Sequence, residues 1–219
     1  MTRENTNKIA FLGSALHSIQ CLEYLVSHCP SACVAGFLPC RGNPTIPPEG
    51  DLSKLLDRHN ITVIQPEELF NLEYDLGISI LYDSVLPGDI VAAPEKGWIN
   101  LHLGPLPRLR GVNSVLHGIR LAREEDNWTF GITLHYMVEK VDAGPIIEMK
   151  EFPIHKDDTA YALFNRTVDH ILPLFSRNIR PLLDSTGKVG ASEQKGPSKT
   201  FYKRDKIDHE IDLSWSADK

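Results

Sequence analysis

No apolar run in the 219 residues approaches membrane-spanning length, and the first eight, Met1-Thr2-Arg3-Glu4-Asn5-Thr6-Asn7-Lys8, are polar. Neither a membrane partner nor a secretory signal is expected, which points to a cytoplasmic protein. Basic charge is also short: 23 Lys and Arg face 29 Asp and Glu, a net charge of -6. That is the wrong sign for a surface that holds phosphate backbones, so no nucleic-acid partner is expected. Cysteine is scarce. Cys21, Cys29, Cys33 and Cys40 share one stretch whose spacings match no zinc pattern, and none sits at a strand end beside a plausible base. They read as reduced, mostly buried thiols in a chain with 42% hydrophobic residues, enough for a core without disulfide staples. Glycine is missing where a dinucleotide would need it. After Gly13 the chain runs Ser14-Ala15-Leu16-His17-Ser18, without the second glycine of G-x-G-x-x-G, which removes most support for a dehydrogenase. Internal repeats and low-complexity blocks are absent too.

What is present is alternation of strand and helix signals. Lys8 to Gly13 is a short apolar run ending in glycine, and Ile19, Leu22, Leu25 and Val26 follow at helical spacing. Cys33 to Leu38 predicts a second strand, 39–50 a loop, Leu52 to His59 a short helix, and Ile61 to Ile64 a further strand. Leu76 to Tyr82 and Trp98 to Leu101 read as central strands joined through Leu86-Pro87-Gly88 and a helical turn. Such alternation implies an α/β fold, a Rossmann-like, mostly parallel, doubly wound sheet. Thr129 to Met137 and Ile146 to Ile154 predict a strand pair around Asp142-Ala143-Gly144-Pro145. From Asp158 to Leu183 apolar residues recur at helical spacing, which predicts one long helix kinked at Pro173. Residues 185–199, rich in Ser, Gly and Lys, read as a loop or hairpin. The expected organisation is a catalytic domain over 1–184 and a short tail over 185–219.

Chemistry concentrates in Trp98-Ile99-Asn100-Leu101-His102. Side chains two apart on a strand share a face, so Asn100 and His102 project together at the end of a buried strand, where open α/β sheets place ligands. An amide donor beside an imidazole suits a reaction that generates an oxyanion. The pair lacks a carboxylate to set the imidazole, and Asp142, about forty residues on, offers one. Taken alone, each of the three also suits a structural post.

Three blocks, SILYDSVLPGDIV, INLHLGPLPRLRG and FGITLHYMVEKVDAGPII, resemble the folate-dependent formyltransferases, the family of glycinamide ribonucleotide transformylase, methionyl-tRNA formyltransferase and the nucleotide-sugar N-formyltransferases. The resemblance spans roughly residues 8 to 183, and its Asn-x-His and later Asp-x-Gly fall on Asn100, His102 and Asp142. It implies 10-formyltetrahydrofolate as formyl donor, a primary amine as acceptor, and no metal. Asn100 and His102 would stabilise the oxyanion, while Asp142 orients the imidazole and helps move the amine proton to N10 of the leaving folate. The implied folate pocket runs along Tyr82, Ser84, Val85 and Leu86, with Met137 and Glu139 on the strand leading to Asp142. Val85, Leu86 and Met137 would serve equally well as ordinary core. Where the family commonly reads His-Pro-Ser-Leu-Leu-Pro, this chain has His102-Leu103-Gly104-Pro105-Leu106-Pro107, a change in the loop beside the site.

Among acceptors, a transfer RNA is disfavoured by the acidic charge and by the chain's ending soon after the family-like core. Glycinamide ribonucleotide stays an alternative, although Gly13-Ser14-Ala15-Leu16-His17 lacks the glycine-rich phosphate loop of those enzymes. The N-terminal regulatory domain of the formyl-folate hydrolases has no room ahead of the core. The phrase from Asn100 to Gly111 with Asn113, and the tail Phe201-Tyr202-Lys203-Arg204-Asp205 with Ile211-Asp212-Leu213-Ser214-Trp215, are most similar to the nucleotide-sugar N-formyltransferases. A dTDP-linked amino-dideoxy sugar bound for a surface polysaccharide is the implied acceptor, with Arg110, Tyr202, Lys203 and Arg204 as candidates for its pyrophosphate and base. A homodimer through the tail, and a folate- or nucleotide-sugar-binding module without turnover, remain open readings.

Overall fold

In the first strand, β1 (Asn7–Leu12), successive side chains are buried on both faces: Ile9 and Phe11 join one apolar cluster, Ala10 and Leu12 another. That continuous burial is the mark of a central parallel strand. The computed structural model describes residues 6–39 and 49–202. β1 leads to α1 (Leu16–His28), β2 (Ala32–Leu38), α2 (Glu49–Arg58) and a 3-10 turn (Pro66–Phe70). Then come β3 (Leu76–Ile80), α3 (Gly88–Ala92), β4 (Trp98–His102), β5 (Leu109–Gly111), α4 (Ser114–Glu125), β6 (Thr129–Tyr136) and β7 (Ile146–Pro153). α5 (Ala160–Val168), α6 (Ile171–Asp184) and β8 (Lys199–Phe201) complete the described elements.

Six strands form one sheet in the order β2-β1-β3-β4-β6-β7. The first four are parallel, β6 runs antiparallel to β4, and β7 antiparallel to β6, so the expected strand pair is added to the open edge of the β/α half. One face packs on α1 and α6 through Leu22, Leu25, Leu174, Phe175 and Ile179. The other is covered by α3 and the 3-10 turn through Leu69, Ile90 and Val91 around Trp98. Trp98 is fully buried, and its indole Nε1 donates to the Ile90 carbonyl at 2.8 Å. Its ring lies so close to the neighbouring strand that a Cβ on Gly77 would come within 1.9 Å of it. A third cluster, Leu109, Val115, Leu121, Phe130, Ile154 and Leu163, seats α4 and α5 against the strand pair.

The structure departs from the sequence-based expectations at four points. The single long helix is two helices, broken at Asp169-His170, because the Pro173 ring would strike the carbonyl of Asp169, four residues back. Pro173 instead occupies the first turn of α6, where its missing N–H goes unneeded. Residues 61–64 make only a single parallel bridge, Val63 to Phe37, between a left-handed Asn60 (φ 53°) and Pro66. Cys33 is exposed, while Cys21 and Cys29 are buried as expected; Cys40 lies outside the described residues. α4, β5 and β8 come without a sequence-based expectation, although Val115, Leu121 and Ala122 carry a helical spacing on the buried face of α4. Among the described residues no helix is long and apolar enough to cross a membrane.

Candidate active site

β4 ends the parallel run of the sheet, and its alternation turns Asn100 and His102 to the same face at the carboxyl edge. In the antiparallel pairing with β6, Asn100 stands opposite His135 and His102 opposite Thr133. Asp142 lies in the turn between β6 and β7 with φ 49°, a left-handed conformation that Asp tolerates better than most residues. The turn is held tightly: a Cβ on Gly144 would fall 1.9 Å from the Tyr136 carbonyl oxygen, so only glycine lets the chain double back here.

The three residues meet as the sequence predicts. His102, 7% exposed, directs Nδ1 at Asp142 Oδ2, 3.4 Å away, and donates from Nε2 to the Leu109 carbonyl at 2.6 Å. Asp142 also accepts the Gly111 backbone N–H at 2.7 Å. Burial by itself would raise the Asp142 carboxyl, but the charge of His102, the neighbouring His135 and the Gly111 N–H outweigh it and hold the group at about 2. For His102 burial wins. It pushes the imidazole below 6.5 against the pull of Asp142 and Leu109, and His135 adds to the push.

His135, 1% exposed, is a site residue that sequence reasoning missed. Its Nδ1 donates to the Tyr136 carbonyl at 2.8 Å, which leaves the Nε2 lone pair to accept the Asn100 amide N–H at 3.2 Å. The same Nε2 stands 3.5 Å from Asp142 Oδ1, a longer, electrostatic contact. The signal that could have found it is a histidine two before Met137 on the same strand alternate as Thr133, the one that faces the ligand edge.

Above this floor opens a cavity of about 890 Å³ whose lining includes Asn100, His102, His135 and Asp142. Every residue expected to hold folate lines it: Tyr82, Ser84, Val85, Leu86, Met137 and Glu139. Leu86 is buried in the apolar cluster around Trp98, with Met137 packed against it, while Val85 is 76% exposed and belongs to no core. Phe201 and Tyr202 reach the same cavity. Arg110, expected at the pyrophosphate, does not line it: the residue is 8% exposed and its guanidinium is engaged with Gln194 Oε1 at 2.6 and 3.0 Å. Lys203 and Arg204, and with them the rest of the tail from 203 onward, lie outside the described residues.

A mostly parallel α/β sheet that gathers amide, imidazole and carboxylate at its carboxyl edge, beside a ligand-sized cavity, places the chain among the open-sheet α/β proteins, in which that edge is the usual place for a ligand. Within that class the chain belongs to the formyl transferase family, whose sequence pattern matches residues 59–177. The methionyl-tRNA formyltransferase of Bacillus mycoides (strain KBAB4) is 33% identical over 169 residues, 73% of this chain and 52% of that protein. The chain thus spans about half the length of this relative. Two solved structures share the fold. The N-formyltransferase from Helicobacter canadensis, in complex with folinic acid and dTDP-3-aminofucose, superposes with a TM-score of 0.78 at 22% identity, covering 97% of this chain and 77% of its own. A 4-N formyltransferase from Francisella tularensis superposes at 0.74 with 18% identity, covering 95% and 84%.

Proposed function

We propose that this protein transfers a formyl group from 10-formyltetrahydrofolate to the primary amine of a nucleotide-linked amino-dideoxy sugar, of the dTDP type, in the cytoplasm. The observation that carries the reading is the convergence of Asn100, His102 and Asp142 on the floor of the large cavity. The lining suits a folate: apolar Leu86 and Met137 for a flat ring, with Glu139 and the strand-edge backbone beside them for its polar edge. Bound there, the folate supplies a formyl carbon open to nucleophilic attack. Asn100 spends one amide N–H on His135 and keeps the other for the oxygen that gains negative charge. The proton released by the amine is held by the His102–Asp142 pair and passes to N10 of the folate, whose bond to the formyl carbon breaks as the new bond to the amine nitrogen is kept. A carboxyl at about 2 is a poor resting place for it, and Nδ1 of His102, 3.4 Å away, is the better one, with Asp142 stabilising the imidazolium so formed. The N-formyltransferase from Helicobacter canadensis, with folinic acid and dTDP-3-aminofucose, supports both the donor and the acceptor class.

A second reading has its own observation, since the Bacillus mycoides relative at 33% identity is a methionyl-tRNA formyltransferase. The net charge of -6 opposes it. Mass spectrometry of the protein with 10-formyltetrahydrofolate and a panel of nucleotide-linked amino sugars, glycinamide ribonucleotide and methionyl-tRNA decides among them, with His102→Asn as control. A formyl increment on an amino sugar, lost in the variant, is the expected result. Formylation of the ribonucleotide or the tRNA alone would overturn the sugar assignment, and folate binding without any product would leave a binding module.

A further inference from the structure

Between α6 and β8 the chain forms no helix or strand, yet it is tied to the catalytic unit, beginning with the Val189 N–H, which donates to the Tyr136 hydroxyl at 2.7 Å. Ser192 exchanges both backbone hydrogen bonds with Ile146 at the start of β7, each 2.8 Å. Two residues on, the Gln194 side chain donates from Nε2 to the carbonyls of Asp142 (2.8 Å) and Gly144 (2.7 Å). Its Oε1 accepts from Arg110 Nε (3.0 Å) and Nη2 (2.6 Å). Both amide protons and both oxygen lone pairs are therefore used. The orientation is chemically determined, because a flipped amide would set N–H groups against a guanidinium and an oxygen against two carbonyls.

Everything this amide touches bears on one residue. Asp142 sits in a left-handed turn, and Gln194 holds that turn by the carbonyl of Asp142 itself and by that of Gly144. Gly111, the neighbour of Arg110 on β5, donates its backbone N–H to the Asp142 carboxylate. β5 in turn is fixed by its parallel pairing with β8, Arg110 opposite Thr200 and Gly111 opposite Phe201. Among the described residues no carboxylate pairs with Arg110, so its buried charge acts through the neutral amide and strengthens the two N–H donors on the far side. The result is a closed loop of bonds, Arg110 to Gln194 to the Asp142 backbone, and Gly111 to the Asp142 side chain.

We propose that Gln194, braced by Arg110, is a positioning residue for Asp142, holding the carboxylate at the distance from His102 that proton transfer needs. The inference rests on the formyl-transfer reading above. It moves residues 192–201 from an appended tail into the working site, beyond the 59–177 stretch that the family pattern covers. It also gives Arg110 work away from the substrate.

The test is Gln194→Met. Its kcat is expected to fall by about tenfold to a hundredfold, the cost of a small misplacement of a reacting group, with KM for both donor and acceptor held within about twofold. In the free protein, a nitrogen-15 NMR titration of His102 is expected to move to lower pH than in wild type, because a retracted Asp142 supports the imidazolium less. Unchanged kcat with an unchanged His102 titration would overturn the proposal, and so would a rate loss that merely follows the unfolded fraction while the titration stays put. Should Gln194→Met fail to fold, Gln194→Glu keeps the length and the link to Arg110 but loses the N–H groups for Asp142 and Gly144. It is expected to lose kcat to the same extent, and wild-type kcat in it would overturn the proposal. If wild type formylates no amine, the functional reading fails, whereas the His102 titration still decides whether Gln194 positions Asp142.

Discussion

Asn100 has one amide N–H to give a ligand because His135 takes the other, and His135 can take it only because the Tyr136 carbonyl claims the proton of its opposite nitrogen. The chain of dependence makes two variants informative. Asn100→Ala is expected to lower kcat on the order of 10² to 10³-fold with little change in melting temperature, as for removal of an oxyanion donor, and steady-state kinetics beside thermal unfolding checks it. The acid limb of kcat/KM is expected below pH 6.5, since burial depresses His102 and the working ring is neutral; a limb above 6.5 would contradict the proton-holding role. Asp142 carries a stability consequence. Its folded value of about 2 lies below the unfolded 3.8, so its contribution is complete above pH 3.8 and is lost as pH falls through about 2. At neutral pH that is worth on the order of 2 kcal/mol. His102, also depressed, acts in the same sense, stabilising above 6.5 and costing stability as the buried ring must charge below it. Asp142→Asn is thus expected to melt lower than wild type at pH 7, with the gap narrowing below pH 3.8 and closing toward pH 2. A gap that stays constant with pH would count against the carboxylate's being held by its neighbours.

Among the elements, β3 and β4 set the tolerance of the site, because the indole at the start of β4 lies flat against the Cα of Gly77 on β3. Gly77→Ala would push Trp98 out of its bond to the Ile90 carbonyl and tilt the strand that ends in Asn100 and His102. An overpacking cost of about 1–3 kcal/mol is expected, read as a lower midpoint in chemical denaturation. The elements also show where periodicity runs out. β1, β2, β3, β4, β6 and β7 were legible because buried strands are apolar runs and half-buried ones alternate. β5 and β8 are three residues each, too short to carry a period, and they exist because each backbone finds the other across about ninety residues of chain. The break between α5 and α6 was misread in degree, since the period continues through a proline that the backbone cannot follow.

For the whole molecule, the charge of -6 bears on the proposed transfer to a nucleotide-linked sugar. A small nucleotide-linked sugar makes few phosphate contacts, so KM for the acceptor is expected to change by less than about tenfold between 50 and 200 mM salt. A surface neutralising six or more phosphates would lose roughly 10³-fold or more over that range. A steep salt dependence would favour the tRNA reading over the sugar.

The sequence by itself determined the sheet, the helices that cover it and the pairing of Asn100 with His102 on one face of β4, because burial patterns and a strand's alternation are local properties written residue by residue, while Asp142 joined them through the family resemblance. The same locality explains how Tyr82 to Leu86 and Met137 to Glu139 could be referred to one pocket through resemblance alone. Tertiary structure decided the rest. Only the antiparallel register of β6 on β4 sets His135 against Asn100, and only the return of the chain after α6 brings Gln194 to Asp142 and turns Arg110 inward to meet it. A charged side chain in a loop-like sequence reads as solvent- or substrate-facing until the fold supplies a partner. Such partners come from residues tens of positions away, and no local pattern encodes the hydrogen bond between them.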